Sequence, residues 1–302
     1  MEVEKNLKNI KKAFKEEGIF YTTNELAQQL KEYVDFKPMR IYDPTCGQGN
    51  LLSVFPDEIE KYGQEIHADE LEKAKSRLKN FHGYCGDTLK DDGFRNIKFD
   101  LIVANPPFSI RWDPDNTDER FKDAPAIPPP SKADYAFILH ILYHLDTHGK
   151  AICLGFPGIL YRGQREGIIR QWLIDNNYIE RIVHIPEKSF VDTPIATCII
   201  VISKSKMNTD IVFEDKKLKR SRTVTREEIV ANNYQLSVSI YIQEEKKKEF
   251  IDVYELQNAA RKNFIKRLKK ELEFDREVCR MEGWDETEYI KQLQELLNSF
   301  KA

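Results

Sequence analysis

The strongest constraint on this chain is an alternation of two periodicities. Between Met39 and Lys204, apolar runs of strand length are separated by segments with helical spacing. The candidate strands are MRIYDP, YGQEIHA, FHGYCG, FDLIVANP, KAICLGF, IERIVHI and ATCIIVISK, and helices are expected over about residues 49–60, 69–80, 131–147 and 163–177. A helix between two strands returns the chain to the end where it started, so successive strands run parallel. The pattern therefore predicts an α/β fold, with a seven-stranded, mostly parallel sheet covered by helices on both faces. The last two runs are joined by PEKSFVDTP, which has no helical spacing, so the final strand should be antiparallel and inserted beside the fifth.

The flanks read differently. Leu7, Ile10 and Phe14 fall at helical spacing, and Thr23 or Asn24 can cap a helix running to about Tyr33. Past residue 203 a polar stretch, TDIVFEDKKL, leads to NNYQLSVSIYI and then to a strongly helical tail. There Tyr254, Leu256, Ala260, Phe264, Leu268 and Leu272 form one stripe, EGW a turn, and Asp285 with Glu288 a capping box. Ile290, Leu293, Leu297 and Phe300 form a second stripe. The expected division is one domain over 1–242, with helices in 1–35 packed on it, and a helical region over 243–302 for partner or self association.

Composition narrows the function classes. The longest strongly apolar run, Ile195 to Ile202, is too short to cross a bilayer. The start, MEVEKNLKNIKK, has no apolar core that could serve as a signal peptide, so a cytoplasmic location is expected. Five cysteines lie far apart with no CxxC pair, which argues against a zinc site or a disulfide framework. The net charge of −3 lacks the cation surplus of a protein that grips nucleic acid alone. Either charge is locally segregated or another subunit supplies the grip.

Four strand ends carry the chemistry. Asp43-Pro44-Thr45-Cys46-Gly47-Gln48-Gly49-Asn50 closes the first strand, and its two glycines permit a tight turn and close approach of a ligand to the backbone. Glu65, sixteen residues past Gly49, can accept hydrogen bonds from two ribose hydroxyls. Asp87, in Gly86-Asp87-Thr88, can accept from an adenine amino group. The loop lacks a third glycine and the Lys-Ser/Thr of phosphate-binding loops, so an uncharged nucleoside suits it better than a pyrophosphate.

The fourth strand ends in Asn105-Pro106-Pro107-Phe108. The exocyclic nitrogen of adenine is a poor nucleophile because its lone pair is delocalised into the ring. Accepting hydrogen bonds from both its protons, through the Asn105 side-chain oxygen and the Pro106 carbonyl, would push that nitrogen toward tetrahedral geometry. The prolines pre-aim the acceptors, and Phe108 offers a flat face to a base swung out of a duplex. No side chain need ionise, and the remaining requirement is in-line placement of a sulfonium methyl. Taken singly, each feature has a plainer reading: a simple turn, solvated strand-end carboxylates, a rigid proline turn with Phe108 in the core. Together, in this order along one sheet edge, they favour a site.

In that order the residues resemble the amino-methylating DNA methyltransferases, and most closely the modification subunits of type I restriction systems. The resemblance runs from about Gly18 to Ile242 through GIFYTTNELAQQL, DPTCGQGNLL, YGQEIHADELEKAK, GDTL and NPPF. It continues through ERFKDAPAIPPPSKADYAFILHILYHLDTHGKAICLGFPGILYRG, REGIIRQWLI and RIVHIPEKSFVDTPIATCIIVISK. It implies a Rossmann-like, class I S-adenosylmethionine-dependent methyltransferase acting on a flipped adenine of double-stranded DNA. The implied cofactor set is Tyr21, Thr22, Asp43, Thr45, Gly47, Gly49, Asn50, Glu65, Asp87, Thr88 and Asn105, with Tyr21 and Thr22 at the methionine end. Asn105, Pro106, Pro107 and Phe108 are implied as catalytic, with no metal. A specificity subunit docked on the C-terminal helices is the implied partner, with a restriction subunit as a further association. The two apolar stripes of those helices leave two other uses open: a homodimer, or packing back onto the catalytic domain.

The chain departs from the family's pattern in two places. Thr23 stands where members commonly have proline, and only about forty residues precede the glycine loop, where members usually carry a helical domain. A form shortened at its N-terminus is therefore expected. Two other readings remain: an Asn-Pro-Pro-aromatic methyltransferase of protein glutamine or RNA, and a non-catalytic subunit that keeps the fold. The first generally ends its motif in tyrosine and lacks the PPPSKADYAF region.

Overall fold

The structure, a computed structural model, describes residues 22–187, 196–243 and 252–299. The helix expected around Leu7 to Phe14, Tyr21, most of PEKSFVDTP and Phe300 lie outside the described residues. By its internal contacts the chain divides into two compact units, Met1–Glu244 and Glu245–Ala302.

The first unit is built on one sheet. Its strands are β1 (Arg40–Asp43), β2 (Glu60–Glu65), β3 (Phe81–Cys85), β4 (Phe99–Ala104), β5 (Leu145–Gly155), β6 (Ile179–Ile185), β7 (Thr197–Ser203), β8 (Ile211–Asp215) and β9 (Arg220–Val224). They lie in the order β3-β2-β1-β4-β5-β7-β6-β8-β9. The pairs β1/β2, β2/β3, β1/β4 and β4/β5 are parallel. β7 runs antiparallel between β5 and β6, as its place in the sequence predicted. Among the described residues the sheet has nine strands rather than the expected seven, because β8 pairs parallel with β6 and β9 closes a hairpin onto β8. These two strands are five residues each, and in the edge strand β9 only Val224 is buried, so no apolar run announces it.

Strand alternation sends successive side chains to opposite faces. Tyr42, Ile102, Ala104 and Cys153 join one core cluster, which also holds Phe99, Phe121, Phe137 and Ile141. Ile41, Leu101, Val103 and Ile152 join the other, with Leu26, Leu30, Phe55 and Leu71. Both faces are covered, which is why the central strands are apolar along nearly their whole length. The covering helices are α1 (Asn24–Lys31), α2 (Ala68–Arg77), α3 (Asp134–His144) and α4 (Gln164–Asp175), followed by the short α5 (Arg226–Ala231) and α6 (Val238–Tyr241). Thr23 caps α1 through its hydroxyl, which accepts from the Leu26 N–H at 3.3 Å.

One expected helix is absent. Residues 49–59 form turns and a single 3-10 segment, Leu52–Val54, and Glu60 already opens β2. Pro56 disfavours helical backbone at the residue before it, and Phe55 is extended at φ −97° and ψ 149°. The helix expected over 131–147 is shorter at both ends: α3 starts at Asp134, and β5 already begins at Leu145.

The second unit is a helical pair. α7 (Val253–Glu282) is capped by Asp252, and Gly283, at φ +69°, ends it in a left-handed conformation that a side chain would strain. α8 (Glu286–Ser299) follows. Cys279 is the one buried residue of α7 among those described. Among the described residues no helix is long and apolar enough to cross a membrane.

Candidate functional site

The sheet order places a switch point between β1 and β4. From β1 the chain crosses outward to β2 and β3, then returns to lay β4 on the opposite side. The connections diverge there, which opens a crevice beyond the carboxyl ends of the strands. A cavity of about 210 Å³ occupies this place. Its walls come from the segment after β1 (Thr45, Gly47, Asn50), the end of β2 (Glu65, Ile66, His67), the end of β3 (Asp87, Thr88) and the end of β4 (Asn105, Pro107). Thr22, Glu70, Ile110 and Phe137 also line it.

Backbone donors fix the acidic residues. The Glu65 carboxylate accepts from the Gly47 N–H at 2.9 Å on one oxygen and from the His67 N–H at 2.9 Å on the other. Gly47 holds φ +50° to bring its N–H there. Gly49 acts differently: a β-carbon on it would come within 2.6 Å of Leu78, so this glycine lets the loop pack on the end of α2 and does not line the cavity. The Asp87 carboxylate accepts from the Leu89 N–H at 3.0 Å. The Thr88 hydroxyl donates to the Pro44 carbonyl and ties the third strand end to the first.

Asp43 also sits outside the lining, buried beneath the loop, where it accepts from the Thr45 N–H at 3.0 Å. Burial pushes its carboxyl up to about 8; the Thr45 N–H opposes the rise and the Glu65 charge adds to it.

A short hydrogen-bond chain joins the two halves of the site. Asn50 donates from Nδ2 to the Thr22 carbonyl at 2.7 Å, and its own side-chain oxygen accepts from Arg77. The Thr22 hydroxyl accepts from Asn105 Nδ2 at 3.0 Å. With its amide nitrogen engaged by Thr22, Asn105 has its oxygen as the end suited to accept from a base. Pro106 and Phe108 do not line the cavity. Phe108 is 8% exposed and packs in the cluster with Leu26 and Leu30.

Sequence reasoning missed what holds the Asn105 loop. Ser109 follows it at φ +54°, a costly conformation for a residue with a side chain. Asp134, at the start of α3, accepts from the Ser109 N–H at 3.2 Å. Arg162 then bridges two nearly buried carboxylates, donating to Asp134 at 3.0 Å and to Glu166 at 2.8 Å. The proline-rich stretch lies against the same segment: the Trp112 N–H donates to the Pro130 carbonyl and the Ala133 N–H to the Ile110 carbonyl. The spacing of Arg162 and Glu166 by four residues was the available signal.

A second buried network supports the Asp87 loop. Arg120 donates to the backbone carbonyls of Thr88 at 2.6 Å and Leu89 at 2.7 Å, and pairs with Asp118. It also meets His140 Nδ1 at 2.9 Å, while His140 Nε2 meets the Tyr42 hydroxyl at 3.0 Å. Asp92, His140 and His144 bring their ligand atoms within 4.8 Å of one another. The Arg120 guanidinium, 3.9 Å from Asp92, already supplies the positive charge this cluster needs. Burial, with the His144 and Arg120 charges, drives the His140 pKa well below its usual value and keeps that ring neutral.

The cavity's polar groups fit S-adenosylmethionine. Among the described residues its lining carries three carboxylates (Glu65, Glu70, Asp87) and no lysine or arginine, which disfavours a phosphate-bearing ligand and favours one with net positive charge. Thr45 Oγ1 is buried in this wall without a hydrogen-bond partner among the described residues. Ile66, 58% exposed beside Glu65, offers an apolar face that a purine can cover.

Comparison with known proteins agrees with this geometry. The N-6 DNA methylase family matches residues 4–275. The chain belongs to the N-6 DNA methylase family. This member of the N-6 DNA methylases is 32% identical over 307 residues to the type I restriction enzyme MpnII methylase subunit of Mycoplasma pneumoniae, covering 80% of this chain and 56% of that protein. It is 31% identical over 241 residues to the MjaIX methylase subunit of Methanocaldococcus jannaschii, covering 70% and 43%. It thus spans about half the length of these curated relatives. The type I methyltransferase subunit from Streptococcus thermophilus superposes with a TM-score of 0.65 at 26% identity, covering 74% of this chain and 59% of that one. The fold is that of the class I S-adenosylmethionine-dependent methyltransferases.

Proposed function

We propose that this chain is an adenine-specific DNA methyltransferase that works as the modification subunit of a type I restriction-modification system. The carrying observation is the Asn105 amide, held by Thr22 at the carboxyl end of β4, on the wall of a cavity whose carboxylates suit a cationic nucleoside. S-adenosylmethionine, when bound, would supply an electrophilic methyl group. Glu65 would accept from the ribose hydroxyls, and Asp87 from the adenine amino group of the cofactor. Tyr21, Thr22 and Thr45 would serve its methionine end, above the loop fixed by Asp43, Gly47, Gly49 and Asn50. The Asn105 oxygen and the Pro106 carbonyl would accept from the amino protons of a flipped adenine and localise the nitrogen lone pair. Pro107 would hold that loop. Phe108, packed in the core with Leu26 and Leu30, would anchor it from below and not offer its ring to the base as the sequence predicts.

The partner reading rests on the second unit. α7 and α8 expose Phe264, Leu268, Leu296 and Leu297, an apolar surface that a specificity subunit, or a second copy of the chain, would cover. Association with a restriction subunit would follow from the same assembly.

The test is methyl transfer to unmethylated duplex DNA, with protein and transfer RNA as rival acceptors, read by mass spectrometry of nucleosides. Methyl should appear on the adenine amino group. Asn105→Ala should keep cofactor binding and lose turnover by about a hundredfold or more, the scale for removing a transition-state hydrogen-bond partner. Methyl on cytosine, or near-normal turnover in the variant, would overturn the reading.

A further inference from the structure

The net charge of −3 conceals a segregated block. Between Arg261 and Lys270 six of ten residues are basic and none is acidic. All ten lie on α7 and all are exposed. At 3.6 residues per turn, Lys262, Lys266 and Lys270 line up in one row, with rungs about 6 Å apart. Lys269 sits beside them. Arg267 is paired with Glu271 at 3.0 Å, whereas Lys262, Lys266, Lys269 and Lys270 make no ion pair with any other described residue. Like charges one turn apart weaken a helix. A polyanion laid along the row would relieve that repulsion.

Phe264, Ile265, Leu268 and Leu272 occupy a separate face of α7, so the lysine row stays open when a protein covers the apolar stripe. Arg261 and Asp275 fall within the arc of that stripe. A bilayer would have to desolvate both charges, whereas a phosphate backbone asks nothing of that face.

We propose that the Lys262–Lys266–Lys270 row of α7, with Lys269, binds the phosphate backbone of duplex DNA without reading its sequence. The inference rests on the reading of the chain as a DNA-modifying enzyme, and it places the missing DNA grip in the helical unit.

The experiment uses the full chain carrying K262Q, K266Q and K270Q; glutamine keeps the helix propensity of lysine. A charge-matched control carries K37Q, K75Q and K79Q, all exposed in the first unit. Binding to a labelled duplex of arbitrary sequence is followed by fluorescence anisotropy across a salt series. Each lost phosphate contact should shrink the slope of log affinity against log salt by about 0.9, so the triple variant should lose about 3 from its slope and the control nothing comparable. A slope unchanged in the variant, an equal loss in the control, or no duplex binding by the unmodified chain would overturn the proposal. So would a variant that keeps its duplex slope but loses binding to phosphatidylserine vesicles. Methyl transfer is read separately: a chain that binds duplex through this row yet never methylates it removes the proposed activity and leaves the row intact.

Discussion

Replacing Asp43 by asparagine should stabilise the protein increasingly as pH rises from about 4 to about 8, and leave it unchanged below that range. Asp43 is 1% exposed, and burial raises its carboxyl from 3.8 to about 8. The unfolded chain releases this proton near pH 4, while the folded chain keeps it until about pH 8. Within that window the unfolded state binds fewer protons, so stability falls as pH rises. At about 1.4 kcal/mol per unit, some four units correspond to roughly 6 kcal/mol across the window, of which about 3 kcal/mol lies between pH 6 and pH 8. An amide cannot titrate, yet its oxygen still accepts from the Thr45 N–H. Urea denaturation of both proteins at pH 6, 7, 8 and 9 gives the comparison. The variant's stability relative to the unmodified chain should climb by about 1.4 kcal/mol per pH unit up to pH 8 and then level. Parallel curves from pH 6 to pH 9 would mean that Asp43 ionises normally when folded, and the burial argument would be wrong.

Glu65→Gln removes one acceptor from the pair that receives the Gly47 and His67 N–H groups, a loss of about 1–3 kcal/mol. Calorimetry with S-adenosylmethionine should show affinity at least tenfold weaker, and an unchanged affinity would withdraw Glu65 from the ribose. Arg162→Ala strands the Asp134 and Glu166 carboxylates, whose side chains are 5% and 6% exposed, and should destabilise the fold by about 3–5 kcal/mol in chemical denaturation. The milder Asp134→Asn should lower kcat while leaving cofactor affinity unchanged, because it loosens the Asn105 loop and not the cofactor wall. Equal kcat values would remove Asp134 from any positioning role.

Much of this was legible in the sequence, and what was not has common causes. The strand ends at Asp43, Glu65, Asp87 and Asn105 converge because each lies at the end of its own apolar run, and a parallel sheet must bring such ends to one edge. Local chemistry also decided α1 and its Thr23 cap. The absent helix at 49–60 follows from Pro56, whose effect reaches only one residue back but was outweighed by apolar spacing. Long-range partners left weaker marks. Arg120 touches backbone carbonyls some thirty residues earlier in the chain, and a carbonyl has no signature in sequence. Ile66 and Phe137 reach the cavity from residues that any core would also use. Gly49 and Phe108 show the opposite limit: the motif was visible, but whether each member faces the ligand or the core is a packing outcome.

The contact from Asn105 to Thr22 has one more consequence. A side-chain amide is nearly its own isostere with the ends exchanged, so a pocket that fits one orientation fits the other. The Thr22 hydroxyl, which here accepts from the amide nitrogen at 3.0 Å, does not by itself choose between them, because after rotating it can donate to the oxygen of the reversed amide. What it fixes is the place of the amide and not its polarity. In the proposed reaction the incoming amino group, whose two hydrogens need acceptors, would select the orientation with the oxygen outward. A single hydroxyl, carried on a different segment from the amide it tethers, would thus hold the group in position and leave its polarity to the ligand.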